Sequence, residues 1–213
     1  MKKIVMPLLT LVITLGLVIP AARGDHFIGH FKGLGAEAHW SMYDEDTGVY
    51  TDVYIYAVDR IYRTPPQGGG GWQYANISIY QYLYDADEYV PIRDIYCWAD
   101  PIPGTLVVDG NLTWASLTAS GIEGWQYDYD TGEETAITID VDVSWSGTGP
   151  MSNYHSNYHF RYPYGFYNSH STGKSRQASS LGEVVLDGTG LTLQASDYAE
   201  VFSSKEGSVE VYR

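Results

Sequence analysis

The chain has 213 residues, of which 44% are hydrophobic, 18% charged and 15% aromatic, so it carries enough apolar side chains for a packed core and is not a disordered chain. It contains 26 Asp and Glu residues against 12 Lys and Arg residues, which gives a formal net charge of −14. Because phosphate binding needs clustered Lys and Arg, this composition argues against a nucleic-acid partner.

The first 24 residues have the pattern of a secretory signal peptide. Residues 1–3 are positively charged, residues 4–19 form an apolar run, and small residues precede an expected cleavage between Gly24 and Asp25. A membrane anchor is the alternative, but the run is short for a full span. The sequence therefore predicts a secreted or cell-surface protein whose single domain covers residues 25–213.

Removal of the signal peptide takes away three basic residues and no acid. The mature chain would then carry nine Lys and Arg residues against 26 acids, a net charge of −17, and one cysteine, Cys97. Cys97 lies in an apolar run, which favours a buried thiol over an intermolecular disulfide. No second apolar stretch of about 20 residues follows, so no membrane span is expected after signal removal.

Most of the mature chain alternates apolar and polar residues with a period of two. This pattern is clear at residues 36–42, 53–57, 75–83 and 137–145, where every second residue except Gln81 is apolar. Alternation of this kind is typical of antiparallel strands with one buried face. With turn residues at short intervals, it predicts an all-β fold, a twisted antiparallel β-sandwich of the jelly-roll-like kind.

Two segments of the chain resemble each other. The sequence Tyr-Asp-Glu-Asp-Thr-Gly at residues 43–48 returns as Tyr-Asp-Tyr-Asp-Thr-Gly at residues 127–132, and both are followed by alternating strands. Duplication of a half-domain, with a boundary near residues 101–104, explains the match about as well as convergence on one good hairpin turn. Residues 64–71 and 147–175 show no alternation and are predicted to be irregular loops.

Tyrosines on the polar face of two strands are the first candidate site. Tyr54 and Tyr56 lie on one strand, and Tyr80, Tyr82 and Tyr84 on another. If the strands are neighbours, the rings form an aromatic platform with hydroxyls at its rim, which suits a polysaccharide or a surface protein. The alternative is that cross-strand aromatic pairs only stabilise the sheet.

Acidic turns and a histidine cluster are candidate metal sites. Asp44 and Asp46, and in the second copy Asp128 and Asp130, alternate before a glycine as in the first part of a calcium loop, although tight turns need the same residues. The second candidate metal site consists of three histidines, whose imidazoles could bind zinc or copper: His155, His159 and His170. The alternative for these histidines is a polar surface.

The sequence contains no Gly-x-Ser-x-Gly elbow, no phosphate-binding loop and no His-Glu-x-x-His motif, which are common catalytic signatures. No catalytic residue is therefore assigned. The leading expectation is a non-catalytic binding or structural module that contacts a glycan or a protein through its tyrosine-rich face. A secreted metal-binding protein and an extracellular hydrolase are the alternatives, and no cofactor other than a calcium, zinc or copper ion is expected.

Overall fold

The computed structural model describes residues 26–64, 68–85, 88–163 and 165–212. The predicted signal peptide lies outside these residues. The described part of the chain forms ten strands and no helix, so the predicted all-β antiparallel fold is confirmed. The strands are β1 (His26–Asp44), β2 (Val49–Thr64), β3 (Gly68–Asp85), β4 (Glu88–Ala99), β5 (Gly104–Val108), β6 (Trp114–Asp128), β7 (Glu134–Tyr162), β8 (Gly165–Leu186), β9 (Thr189–Leu193) and β10 (Tyr198–Tyr212). No helix in this part of the chain is long and apolar enough to cross a membrane.

The strands form one antiparallel sheet that closes on itself. Strands β1 to β4 pair in chain order, and so do β6 to β9; β4 and β5 both pair with β6, and β10 pairs with both β8 and β1. Opposite walls of the closed sheet face each other across one apolar core. Two hydrogen bonds cross this core and link β1 to β7 and β8. Trp145 Nε1 donates to the Glu37 carbonyl at 3.0 Å, and Trp40 Nε1 donates to the Ser180 carbonyl at 3.4 Å.

The alternation in the sequence determines which side chains fill the core. In β7, Ile139, Val141, Val143 and Trp145 are each at most 2% exposed, whereas the residues between them face solvent. The predicted inward positions of β1, β2 and β3 are buried in the same way except at Met42 and Leu83, which are half-buried. Cys97 is also fully buried, which confirms the predicted buried thiol. Burial of apolar area at about 25 cal/mol per Å² is the main force that holds such a wall in place.

Beyond the closed part, several strands continue as an open sheet. Strand β7 pairs with β6 only as far as Ser146 but continues to Tyr162, and β3 pairs with β4 only from Ala75 onward. We call the extension the projecting sheet, and the rest the closed body. The projecting sheet consists of residues 148–162, 165–177, 200–212, 26–35, 58–64 and 68–73. The β8–β10 ladder within it is also the seam through which the sheet closes.

The projecting sheet corrects two predictions. Residues 147–175 were expected to form an irregular loop, but residues 147–162 belong to β7 and residues 165–175 to β8. Residues 68–71, part of the other predicted loop, begin β3. The β7 part is exposed on both sides, so no selection for a buried face imposes alternation on its sequence.

Candidate functional site

Three of the predicted tyrosines belong to one packed cluster on the outer face of the closed body. Tyr82 stacks on Tyr50 with ring centroids 5.3 Å apart and lies 4.6 Å from Tyr89. Tyr80 and Tyr84 contact the same rings. Tyr82 is only 9% exposed, so its faces are occupied by neighbouring rings. This cluster therefore covers the sheet with aromatic pairs of the stabilising kind.

The other two predicted tyrosines have different surroundings. Tyr56 lies 5.6 Å from Phe202 and 5.8 Å from Tyr74. The Tyr54 hydroxyl donates a hydrogen bond of 2.7 Å to the Glu37 carboxylate. Burial, followed by that hydrogen bond, raises the pKa of Tyr54 and keeps the phenol protonated as a donor. Strands β2 and β3 are neighbours, as the prediction required, but the five tyrosines do not form one row.

A groove with a volume of about 930 Å³ lies on the same outer face, next to the tyrosines. Three aromatic rings line it, and each is well exposed: Tyr96 at 47%, Trp98 at 47% and Trp125 at 57%. Two carboxylates, Glu123 and Asp187, also line it. The remaining lining residues come from β6 and β7 and are Gly124, Ala136, Ile137 and Thr138.

The groove lies where two neighbouring strands separate. The last pair between β4 and β6 is Cys97 with Gly124, and pairing resumes between β5 and β6 at Gly104 with Ala119. A register shift in the β6–β7 ladder between Ala119 and Ile122 falls in the same interval. Irregularities of this kind re-aim side chains next to functional sites. Side chains of Trp98 and Trp125 flank the gap that results.

Neighbouring side chains hold two of the aromatic rings in position. Trp98 stacks on Tyr74 with centroids 5.2 Å apart and an interplanar angle of 18°, and the Asn76 amide donates a hydrogen bond of 2.8 Å to the Tyr96 hydroxyl. Rings that are already held lose little conformational entropy when they bind a ligand. The groove is therefore a preorganised aromatic surface with two hydrogen-bond-accepting carboxylates beside it.

Sequence reasoning did not assign Tyr96, Trp98 or Trp125 to a site. A signal was present, because the sequence Gly-Trp-Gln-Tyr occurs at residues 71–74 and again at 124–127. Exposed tryptophan is uncommon enough to single out Trp125 on an outward position of β6. The pairing of β4 with β6, which brings Trp98 to the same groove, is not a pattern in the sequence.

The aspartates predicted to bind calcium form turns. Asp44 accepts hydrogen bonds from the Asp46 amide at 3.0 Å and the Thr47 hydroxyl at 2.7 Å. Asp128 accepts the equivalent bonds from residues 130 and 131. These bonds lower the pKa of both carboxyls, with the Thr47 hydroxyl as the largest cause for Asp44 and the Thr131 amide for Asp128. Asp46 and Asp130 contribute their backbone amides to the turns, and a calcium site here stays a prediction.

The predicted histidines lie on one face of the β7–β8 hairpin. The rings of His155 and His170 are 4.7 Å apart, and the Asn157 side chain donates to His155 Nε2 at 2.9 Å and accepts from His170 Nδ1 at 2.6 Å. His159 bonds to the side chain of Asn168. Over the described residues, no three His, Cys, Asp or Glu side chains form a group that could hold a metal ion. A transition-metal site also stays a prediction.

Comparison with known proteins does not place the chain in a family. No family model matches it, and no curated protein matches its sequence. The candidate function therefore depends on the chemistry of the site.

Proposed function

We propose that the protein is a secreted, non-catalytic binding module whose outer aromatic face holds a neutral polysaccharide in the groove between Trp98 and Trp125. The observation that supports this most directly is the exposure of three aromatic rings around one open groove. Exposed rings in a concave surface are the usual mark of a ligand site rather than of a sheet that merely stabilises itself. The export signal predicted in residues 1–24 fits an extracellular polymer as the ligand.

The chemistry of the groove favours sugars over other ligands. The flat faces of Trp and Tyr present a large apolar surface to the C–H faces of a sugar ring, and the carboxylates of Glu123 and Asp187 can accept hydrogen bonds from hydroxyls. The same two carboxylates would repel an anionic polymer. A neutral polysaccharide therefore fits better than an acidic one. The tyrosine cluster around Tyr82 would stabilise the sheet beside the groove without contacting the ligand.

Two tryptophan substitutions test the proposal. Trp98→Ala and Trp125→Ala should each weaken binding to a neutral soluble polysaccharide at least tenfold, about 1.4 kcal/mol, since each removes one stacking surface. Affinity electrophoresis against a panel of neutral polysaccharides measures this. The matched control is Trp114→Ala, because Trp114 is 46% exposed on β6 but does not line the groove.

The groove proposal fails if no polysaccharide retards the wild-type protein, or if the Trp114 variant loses binding as strongly as the groove variants. The release of reducing sugars during the same assay would instead favour the hydrolase alternative. The presence of Glu123 and Asp187 in one groove is the observation that keeps this alternative open.

A further inference from the structure

The projecting sheet carries most of the positive charge of the molecule on one face. Strand register places Lys32 beside Lys205, and Arg63 beside His30, on the side that continues the inner wall of the closed body. Six cationic side chains share this side: Lys32, Arg63, Arg161, Lys174, Arg176 and Lys205. Asp59 is the one acidic residue on it among the described residues. We call this surface the basic face.

The basic face is concave, and over the described residues its Lys and Arg side chains make no ion pair within 4.0 Å, although Asp109 lies near enough to Arg176 to interact with its charge. A cavity of about 510 Å³ is lined by Lys32, Arg63 and Lys205 together with His30 and His170. In the described ranges, the ion pairs within 4.0 Å involve only His39, which lies in the closed body. The Nε atom of Arg176, where the projecting sheet joins the body, is buried and has no hydrogen-bond partner.

Like charges side by side on a sheet repel each other. A concave face with six cations and one acid therefore suits an anionic surface.

The other end of the same molecule is such an anionic surface. The turns β1–β2, β3–β4 and β6–β7 lie at the end of the closed body opposite the projecting sheet, because the strands alternate in direction. Their described residues include eight acids and no Lys or Arg: Asp44, Glu45, Asp46, Glu88, Asp128, Asp130, Glu133 and Glu134. We call this the acidic end.

We propose that the protein associates head to tail, with the acidic end of one copy docked on the basic face of the next. A second copy is favoured as the occupant because its turns present eight carboxylates at one end of the closed body, and their charge complements the basic face. The basic face spans five strands about 4.8 Å apart and roughly ten residues of about 3.3 Å each, or about 800 Å², which is the area one partner buries in a standard interface. A docked pair keeps one free basic face and one free acidic end, so further copies can add and the assembly is an open chain.

The net charge of the chain does not prevent this contact. Charges separated by more than the Debye length of about 8 Å at physiological salt are screened, so the local complementarity of the two ends outweighs the repulsion between whole molecules. For the same reason the association should be sensitive to salt. It uses a different surface from the aromatic groove, and it stands or falls independently of the polysaccharide proposal.

Sedimentation velocity on three charge-reversal variants tests the proposal. The wild-type protein should form oligomers at about 50 mM NaCl, where the Debye length exceeds 10 Å, and become monomeric at about 500 mM. The face variant is Lys32→Glu, Lys174→Glu and Lys205→Glu, and the end variant is Glu45→Lys, Asp130→Lys and Glu133→Lys. Each should be monomeric alone at low salt, with an apparent dissociation constant raised at least tenfold. An equimolar mixture should associate again, because each variant supplies the charge that the other needs.

A charge-matched control separates docking from a general effect of net charge. Glu123→Lys, Asp142→Lys and Glu183→Lys change the net charge as much as the end variant does, but these exposed residues lie on the sides of the closed body, and association should persist. A wild-type protein that is monomeric at low salt overturns the proposal, and so does a mixture of the two variants that stays monomeric. If the wild-type protein is monomeric and binds heparin, and the face variant does not bind heparin, the basic face is a site for an anionic polysaccharide. That result would overturn self-association.

Discussion

Cys97 shows how packing controls the chemistry of one side chain. Its thiol is fully buried in the core, opposite Gly124 on β6, and a Cβ atom at position 124 would clash with the sulfur. Burial raises the pKa of this thiol to about 11, so at neutral pH almost none of it is the reactive thiolate.

We expect a thiol reagent to label Cys97 at pH 8 only when denaturant unfolds the protein. A Ser152→Cys variant is the positive control, since residue 152 lies on the exposed part of β7 and its new thiol should react within the mixing time. Rapid labelling of the native wild-type chain, or a disulfide-linked dimer on a non-reducing gel, would contradict the burial of this residue.

Two carboxylates that face each other across a strand pair allow a prediction about the pH dependence of stability. Glu200 lies directly across the β1–β10 pair from Glu37. Partial burial raises the pKa of Glu200, and the neighbouring Glu37 adds to the effect. A carboxyl whose folded-state pKa is raised destabilises the fold at neutral pH, and this cost disappears as the pH falls below its unfolded value.

Glu200→Gln should therefore raise the thermal midpoint at pH 7, by a few degrees at most in a domain of this size, and should give no gain near pH 4. Thermal unfolding followed by circular dichroism at both pH values measures the difference. A stabilisation that is the same at pH 4 and pH 7 would show that the ionised carboxylate is not its cause.

At the scale of elements, the two matching segments of the sequence form hairpin turns of the same geometry. In the β1–β2 turn the Gly48 amide donates to the Asp44 carbonyl at 2.8 Å, and in the β6–β7 turn the Gly132 amide donates to Asp128 at the same distance. Both glycines have a positive φ, 73° and 70° respectively. Residues other than glycine are strained in this backbone conformation.

Gly48→Ala and Gly132→Ala should each lower the free energy of unfolding by about 1 kcal/mol. Gly110→Ala is the control, because a Cβ there meets no atom within 4 Å and its φ lies outside the strained region, so its effect should stay within about 0.5 kcal/mol. Chemical denaturation supplies all three values. Equal costs at the three positions would show that the positive φ of the turn glycines is not what makes them necessary.

Alternation predicts the strands of the closed body well and the projecting sheet poorly, for one physical reason. In β7 the stretch from Ile137 to Trp145 must bury every second residue, and its sequence records that requirement. The next 16 residues of the strand bury no comparable side chains on either face. The sequence around Tyr154, His155 and Tyr158 therefore has the polar, non-alternating pattern of a loop. Their strand conformation comes from pairing with β8, a contact that their own residue pattern does not reveal.

At the scale of the whole molecule, charge is divided between two ends. Seven of the eight described Lys and Arg residues lie in the projecting sheet, and Arg93 is the one in the closed body. The formal net charge of −14 for the whole chain hides this division, because a sum says nothing about position. Arg93 itself bonds to Gln81 and Gln126 rather than to an acid. The polarity of the molecule therefore exists only once the strands have paired.

The amino-acid sequence by itself determined the all-β class, the core-facing residues of the closed body, the acidic hairpin turns and the burial of Cys97. These follow from local rules, in which side-chain period and turn chemistry act over a few residues. Only the tertiary structure decided that the sheet closes on itself, that Trp98 and Trp125 border one groove, and that six cations share one face of the projecting sheet. Those features depend on which distant strands pair and in which register, and a strand's own pattern shows that a face is buried but not which strand lies beside it.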